Sequence, residues 1–120
     1  MQIIRAAEGE TIERTADAIF EGAQVWARPL ASESADFTAA VVSFAAGART
    51  KPHRHSSDQI LYVVAGIGKV GDADGEHLIA AGDMAVIPAN VSHWHGAADT
   101  GSPMAHLMVV SATSVTTVDE

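Results

Sequence analysis

Histidine is the residue type whose number and spacing suggest chemistry in this sequence. Four of the six histidines form two pairs with one residue between the partners, His53 with His55 and His93 with His95. On a β-strand this spacing places both imidazoles on one face, about 7 Å apart along the chain and close enough to bind one metal ion. A single histidine is usually a surface group, but several imidazoles inside a protein need hydrogen-bond partners or a metal. The paired pattern therefore predicts a metal site.

Two further histidines lie outside the pairs. His106 shares its predicted strand face with Met104, Met108 and Val110, so it lies among apolar side chains if that face is the core. His77 follows an Asp-Gly turn signal, and we expect it to be a solvent-exposed residue of a hairpin.

Composition limits the classes of function that this chain can have. A length of 120 residues predicts one domain spanning 1–120 and excludes a TIM barrel. A net charge of −8 disfavours nucleic acid and anionic membranes as partners. The sequence contains no cysteine, so a metal must be bound by histidine, carboxylate or amide groups. Residues 1–5 are too short an apolar stretch for a secretory signal, so we expect a cytoplasmic protein.

The elements that must position the histidines are predicted to be short strands. Gly and Pro punctuate the chain between residues 47 and 103, and the segments between them are rich in β-branched and aliphatic residues, which favours an all-β sandwich or small barrel. The predicted strands are 36–46, 59–65, 67–71, 76–80, 83–87 and 104–112. The Asp-Gly turn predicts a hairpin between the third and fourth of these.

The two ends of the chain follow other patterns. Residues 9–20 fit helical spacing, with Thr11 as a possible N-cap, although a short strand with a loop is an open alternative. Arg14 stands where a capping box would have Glu or Gln. Residues 111–120 are small and polar, and we expect them to fray.

The stretch from Gly47 to Gly66 resembles the first sequence motif of the cupins, G-x5-H-x-H-x3-E-x6-G. His53 and His55 occupy the histidine positions of that motif, and Gln59 stands where the motif has Glu.

The stretch from Gly82 to His93 is similar to the second cupin motif, G-x5-P-x-G-x2-H-x3-N. Asn90 replaces the internal Gly, and Ala97 replaces the final Asn. Because Asn tolerates the left-handed backbone conformation better than most residues, Asn90 can preserve the turn.

This resemblance, which spans about 36–110, implies a double-stranded β-helix, the jelly-roll barrel of the cupins, with a divalent metal at its mouth. The implied ligands are His53, His55, Gln59 and His93. Three imidazoles and an amide suit Mn²⁺, Fe²⁺, Co²⁺, Ni²⁺ or Zn²⁺. Because Gln59 is uncharged, the ion would keep its full charge, which favours Lewis-acid chemistry over oxygen activation. The alternative is a weakened site that loses part of its metal.

Within the cupins, the sequence resembles the small manganese-dependent hydroxynitrile lyases, through residues 47–50, Gln59, residues 93–98 and the spacing of Met104 and His106. This resemblance makes manganese the first expectation and implies a lyase acting on a small hydroxylated substrate. His106 would accept the hydroxyl proton, and Thr50 would hydrogen-bond the substrate or a metal-bound water. The implied pocket residues are His95, Ala40, Val42, Leu61, Met108 and Val110. Core packing is the alternative role for all six.

Other classes of function stay open at this stage. A dioxygenase cupin would use the same metal, and a non-catalytic cupin would bind a sugar or a small acid without turnover. Family members are often dimers, so a homodimer is expected, with segments 2–5 or 24–30 as candidate edges. Trp94 alternates with its histidine neighbours and should point away from them.

Overall fold

The computed structural model describes residues 1–31 and 33–119, and these residues form strands and turns without a helix. The strands are β1 (Ile12–Glu13), β2 (Phe20–Glu21), β3 (Val25–Pro29), β4 (Phe37–Phe44), β5 (Arg49–Thr50), β6 (His53–His55), β7 (Gln59–Asp72), β8 (Gly75–Ala80), β9 (Met84–Ile87), β10 (Trp94–Gly96), β11 (Met104–Ser111) and β12 (Thr116–Val118). The part of the chain that is described contains no helix able to cross a bilayer.

Strand β7 connects the two walls of the molecule. Its first half pairs with β11 and β9, and its second half pairs with β8 and β10, always antiparallel. One wall therefore runs β1-β3-β4-β11-β7-β9, and the other runs β8-β7-β10-β5-β2. This curled antiparallel arrangement confirms the all-β barrel, and the predicted hairpin is present with Asp72 opposite Gly75.

The core fills the space between these walls. Its buried apolar side chains are Val25, Val42, Phe44, Ala48, Val63, Ile79, Ala97 and Met104. The Phe44 ring marks the boundary of this core, because it packs against the rings of His95 and His106. Apolar packing therefore borders directly on buried imidazoles.

The helix predicted over residues 9–20 is wrong. Ile12–Glu13 pairs with β3, and Phe20–Glu21 pairs with β5. The backbone amide of Arg14 donates to the carbonyl of Val25, and the amide of Val25 donates to Oγ1 of Thr15. These partners ten or more residues away satisfy the backbone better than a helix with a poor capping box would.

The prediction that residues 111–120 fray is also wrong for the part that is described. Strand β12 pairs antiparallel with β6, and Arg54 forms an ion pair with Asp119 at 3.0 Å. The tail orders because it supplies the backbone partners that β6 otherwise lacks.

The two segments considered as dimer edges are not free strand edges. Residues 2–5 form no strand. Strand β3 pairs with β4 along its length, and β1 covers its other side at Trp26 and Ala27.

Candidate metal centre

Three histidines meet at one end of the barrel. His53 and His55 point inward from β6 and are buried, while Arg54 between them is exposed, as the alternation predicted. His93 precedes β10 and exchanges two backbone hydrogen bonds with His53, each 2.9 Å long. One ring nitrogen from each histidine lies within 4.8 Å of the others. Three buried imidazoles at this spacing could bind one metal ion.

A tight turn at Asn90 brings His93 to this cluster. Asn90 has a φ of 66°, and its amide donates to the carbonyl of His55 at 2.7 Å. The left-handed conformation expected of Asn90 is therefore confirmed, and it links the second motif to the strand that carries the first.

Gln59 lies beside the three histidines. It begins β7 with its side chain buried, and its Oε1 is 3.2 Å from Nε2 of His93. The structure thus brings together all four side chains that the sequence predicted as ligands.

The orientation of each imidazole is set by a partner at Nδ1. Nδ1 of His53 lies 2.8 Å from the carbonyl of Lys51, and Nδ1 of His93 lies 2.9 Å from that of Val91. Because a carbonyl can only accept, both Nδ1 atoms carry the proton and both Nε2 atoms keep the lone pair that a metal needs.

His55 is held by a residue that the sequence did not reveal. Its Nδ1 lies 2.8 Å from Oγ1 of Thr116 on β12, and among the described residues its buried Nε2 has no hydrogen-bond partner. A buried ring nitrogen without a partner is what a metal would satisfy, so the residues fit a metal.

Burial also keeps these imidazoles in the form that binds metals. Burial lowers the pKa of His53 to about 4. Burial, followed by the neighbouring His93, lowers the pKa of His55, and burial lowers the pKa of His93. The rings are therefore neutral at pH 7, and neutral imidazole is the ligating form.

A cavity of about 380 Å³ opens beside the cluster. Its lining includes six polar residues that the sequence singled out: Thr50, His53, His55, Gln59, His95 and His106. Ala40, Val42 and Met108 form part of its apolar lining. Leu61 and Val110, expected in the same pocket, are not among the residues that line it; Leu61 is fully buried and Val110 is half-buried.

The N-terminal segment also lines this cavity, which the sequence did not predict. Ile12, Arg14, Asp17, Ile19 and Phe20 lie on its wall, and Arg14 forms an ion pair with Asp17 at 3.1 Å. Because the sequence analysis assigned helical spacing to this segment, it did not predict that the segment lines the cavity. Pairing with β3 and β5 places it there.

Two buried imidazoles form a hydrogen-bonded pair in the cavity wall. Nε2 of His106 lies 2.9 Å from Nδ1 of His95, and His106 has no exposed surface. The outer ring nitrogens, Nε2 of His95 and Nδ1 of His106, have no partner among the described residues. Burial lowers the pKa of His106 to about 4, and burial, followed by the neighbouring His106, lowers the pKa of His95 well below its usual value.

Thr50 supports this pair from β5. Its buried Oγ1 accepts a hydrogen bond from the backbone amide of His95 at 3.0 Å, which leaves its own hydroxyl proton free to donate. Outside the cavity, His77 is exposed and the guanidinium of Arg49 stacks on Trp94 at 4.3 Å, in line with the positions expected of His77 and Trp94.

The chain is similar in sequence to known proteins. The family model described as the cupin domain matches residues 40–110. The (R)-mandelonitrile lyase of Granulicella tundricola is 42% identical over 73 residues, which cover 58% of this chain and 53% of that enzyme. The matched region therefore spans about half the length of this curated relative.

Solved structures share the fold. A cupin-like protein of Thermotoga maritima is 29% identical, with a TM-score of 0.78 over 88% of this chain and 84% of that one. A sugar phosphate isomerase of the cupin superfamily from Silicibacter pomeroyi is 23% identical, with a TM-score of 0.81 over 99% and 82% of the two chains. The polyketide cyclase of Streptomyces resistomycificus is 15% identical, with a TM-score of 0.79 over 100% and 87%. The last two likenesses concern the fold alone.

Proposed function

This chain belongs to the cupin domain family, and from that premise we propose that it is a metal-dependent lyase that cleaves a small cyanohydrin. The likeness to a mandelonitrile lyase supports this choice of substrate class. The observation that carries the proposal is the neutral His95–His106 pair in the same cavity as the three-histidine cluster.

His53, His55, Gln59 and His93 are the proposed ligands of one divalent ion. Manganese is the first choice, with iron, nickel, cobalt and zinc as the alternatives. When bound, such an ion supplies Lewis acidity toward the substrate hydroxyl, and the uncharged Gln59 leaves its charge undiminished.

The His95–His106 pair is proposed to take the hydroxyl proton, with His106 as the base. Two neutral imidazoles carry two protons, one between the rings and one on an outer nitrogen, so the substrate proton is the third and binds at the outer nitrogen that keeps a lone pair. With Nε2 of His106 donating to Nδ1 of His95, that nitrogen is Nδ1 of His106. Burial makes this pair a weaker base than a free imidazole but keeps it unprotonated at pH 7. The O–H electrons then form the carbonyl, and the carbon–carbon bonding electrons leave with cyanide.

The remaining cavity residues are proposed to orient the substrate. The free hydroxyl proton of Thr50 donates to a substrate oxygen or nitrogen. Ala40, Val42 and Met108 accommodate its apolar group, and their small or flexible side chains leave room for an aromatic ring.

Mandelonitrile cleavage by metal-loaded protein, followed as benzaldehyde absorbance, tests this function. We expect turnover that falls at least about a hundredfold in His53→Ala and in His106→Ala, consistent with loss of a metal ligand or a base. His77→Ala removes an exposed imidazole and should leave the rate unchanged. Elemental analysis of the same samples should show near-stoichiometric metal in the wild type.

Other outcomes would identify a different function. Metal-dependent oxygen uptake with a phenol or dione substrate, without cyanohydrin cleavage, would indicate a dioxygenase. Thermal stabilisation by a sugar or small acid without turnover would indicate a binding protein.

A further inference from the structure

Two charged side chains line the cavity beside the histidine cluster. Among the described residues on its wall, Arg14 is the only cation and Asp17 the only anion, because the imidazoles there are neutral at pH 7. The proposed function uses neither of them. Arg14 also departs from the helical pattern of its segment, since it stands where a capping box would have Glu or Gln. An arginine on a cavity wall is a candidate for binding an anionic group.

The charged pair lies at the mouth of the cavity, whereas the candidate metal centre lies at its closed end. The side chain of Arg14 is 50% exposed and that of Asp17 is 44% exposed. Gln59 and the histidines that line the cavity are all buried. A ligand whose hydroxyl reaches the buried end therefore extends toward Arg14 at its other end.

Backbone hydrogen bonds hold Arg14 in place. Its amide donates to the carbonyl of Val25 at 2.8 Å, and its carbonyl accepts from the amide of Asp17 at 2.9 Å. The carbonyl of Asp17 in turn accepts from the amide of Phe20 at 3.0 Å. Both charged side chains therefore project from a turn whose backbone is paired, and the arginine needs no rearrangement of the main chain to meet a ligand.

One side of the guanidinium is used within the chain. Nε of Arg14 lies 3.1 Å from Oδ2 of Asp17, and the described residues offer the guanidinium no further hydrogen-bond partner. Its two terminal amino groups can therefore bind a carboxylate through two parallel hydrogen bonds. Because an ion pair exposed to solvent is weak, Asp17 does not prevent this contact.

We propose that Arg14 determines substrate specificity by binding a carboxylate at the end of the substrate remote from its hydroxyl. This inference rests on the proposed function and narrows its substrate class to aromatic cyanohydrins with a carboxylate on the ring. The ring then lies between the two ends of the cavity, against Ala40, Val42 and Met108. A cation at the mouth also attracts an anionic substrate that the net charge of −8 otherwise repels.

The relative kcat/KM of two kinds of cyanohydrin tests the proposal on metal-loaded protein. Mandelonitriles with a carboxylate at ring position 3 or 4 are compared with unsubstituted mandelonitrile. The wild type should prefer at least one carboxylated compound by about fivefold, the strength of a half-exposed ion pair, and added salt should reduce this preference. Arg14→Gln should abolish the preference, and Asp17→Asn should increase it by removing a competing carboxylate. Arg5→Gln removes the same charge at an exposed position outside the cavity and should keep the wild-type preference.

Binding of 3- and 4-(hydroxymethyl)benzoate separates this inference from the proposed function. These compounds carry a hydroxyl and a carboxylate but no nitrile, so they bind without being cleaved. In calorimetric titrations the wild type should bind at least one of them more tightly than benzyl alcohol, and Arg14→Gln should not. That result would support the role of Arg14 even if no cyanohydrin is cleaved. A wild type with no preference for a carboxylate in both measurements, or a preference that persists in Arg14→Gln, would overturn the proposal.

Discussion

Nδ1 of His55 and Oγ1 of Thr116 lie 2.8 Å apart, although 61 residues separate them in the sequence. With Nε2 of His55 facing the cluster, Nδ1 carries the proton and donates it to the threonine hydroxyl. His53 and His93 use backbone carbonyls for the same purpose, so His55 alone among the three depends on a side chain for its orientation. The C-terminal strand is therefore part of the candidate metal centre.

Replacing Thr116 should weaken metal binding. Thr116→Val keeps the shape of the side chain but removes the acceptor for Nδ1 of His55, and loss of such a partner costs about 10- to 100-fold in metal affinity. Competition with a chelator measures the change. Thr117→Val, at the next exposed position of β12, is the matched control and should bind metal like the wild type. Equal affinity in both variants would contradict the role of Thr116.

A carboxylate at position 59 should change the chemistry rather than the fold. Gln59→Glu adds a negative charge beside the three histidines, so we expect the metal to be retained and cyanohydrin cleavage to slow by about tenfold, or roughly 1.4 kcal/mol in the barrier. Metal content and rate are measured on the same sample. Gln24→Glu adds the same charge at an exposed position and should leave the rate unchanged. An unaltered rate in Gln59→Glu would show that Gln59 does not act on the metal.

The stability of the metal-free protein should depend on pH through His106. An unfolded histidine has a pKa near 6.5, whereas burial lowers the pKa of His106 to about 4. Between these values the unfolded chain binds more protons, so the free energy of unfolding falls as pH decreases from about 6.5 to about 4, by up to about 1.4 kcal/mol per pH unit for this group.

Urea unfolding in the presence of a chelator measures this dependence. His106→Gln should flatten it by removing one group that protonates on unfolding. Thr117→Val, an exposed substitution that removes no titratable group, should keep the wild-type slope. Identical slopes in all three proteins would mean that His106 does not protonate on unfolding in this range.

The turn at Asn90 should tolerate glycine but not alanine. At a φ of 66°, a Cβ without a compensating polar group costs about 1 kcal/mol, so Asn90→Ala should lower the free energy of unfolding by that amount. Asn90→Gly should be close to the wild type. Urea midpoints compare the three proteins, and an alanine variant as stable as the glycine variant would refute the strain argument.

Local spacing was sufficient to predict much of this protein. The i, i+2 repeat of His53 and His55 predicts their shared inward face because side chains alternate along a strand, and the same alternation predicts the burial of His106. The left-handed turn at Asn90 also follows from residue type, since few residues adopt that conformation without strain.

Contacts between segments that are distant in the sequence could not be predicted from the sequence and are seen only in the folded chain. Parts of residues 9–20 pair with β3 and β5 instead of forming a helix, because distant strands satisfy their backbone hydrogen bonds. In the same way, the ring nitrogen of His55 finds its partner in Thr116. No local sequence pattern identifies either set of partners. The low pKa of His106 likewise depends on burial beneath several strands. Short-range steric preferences depend only on a residue and its sequence neighbours, so the sequence predicts them. Hydrogen-bond partners and desolvation depend on residues that are distant in the sequence and become neighbours only in the folded chain.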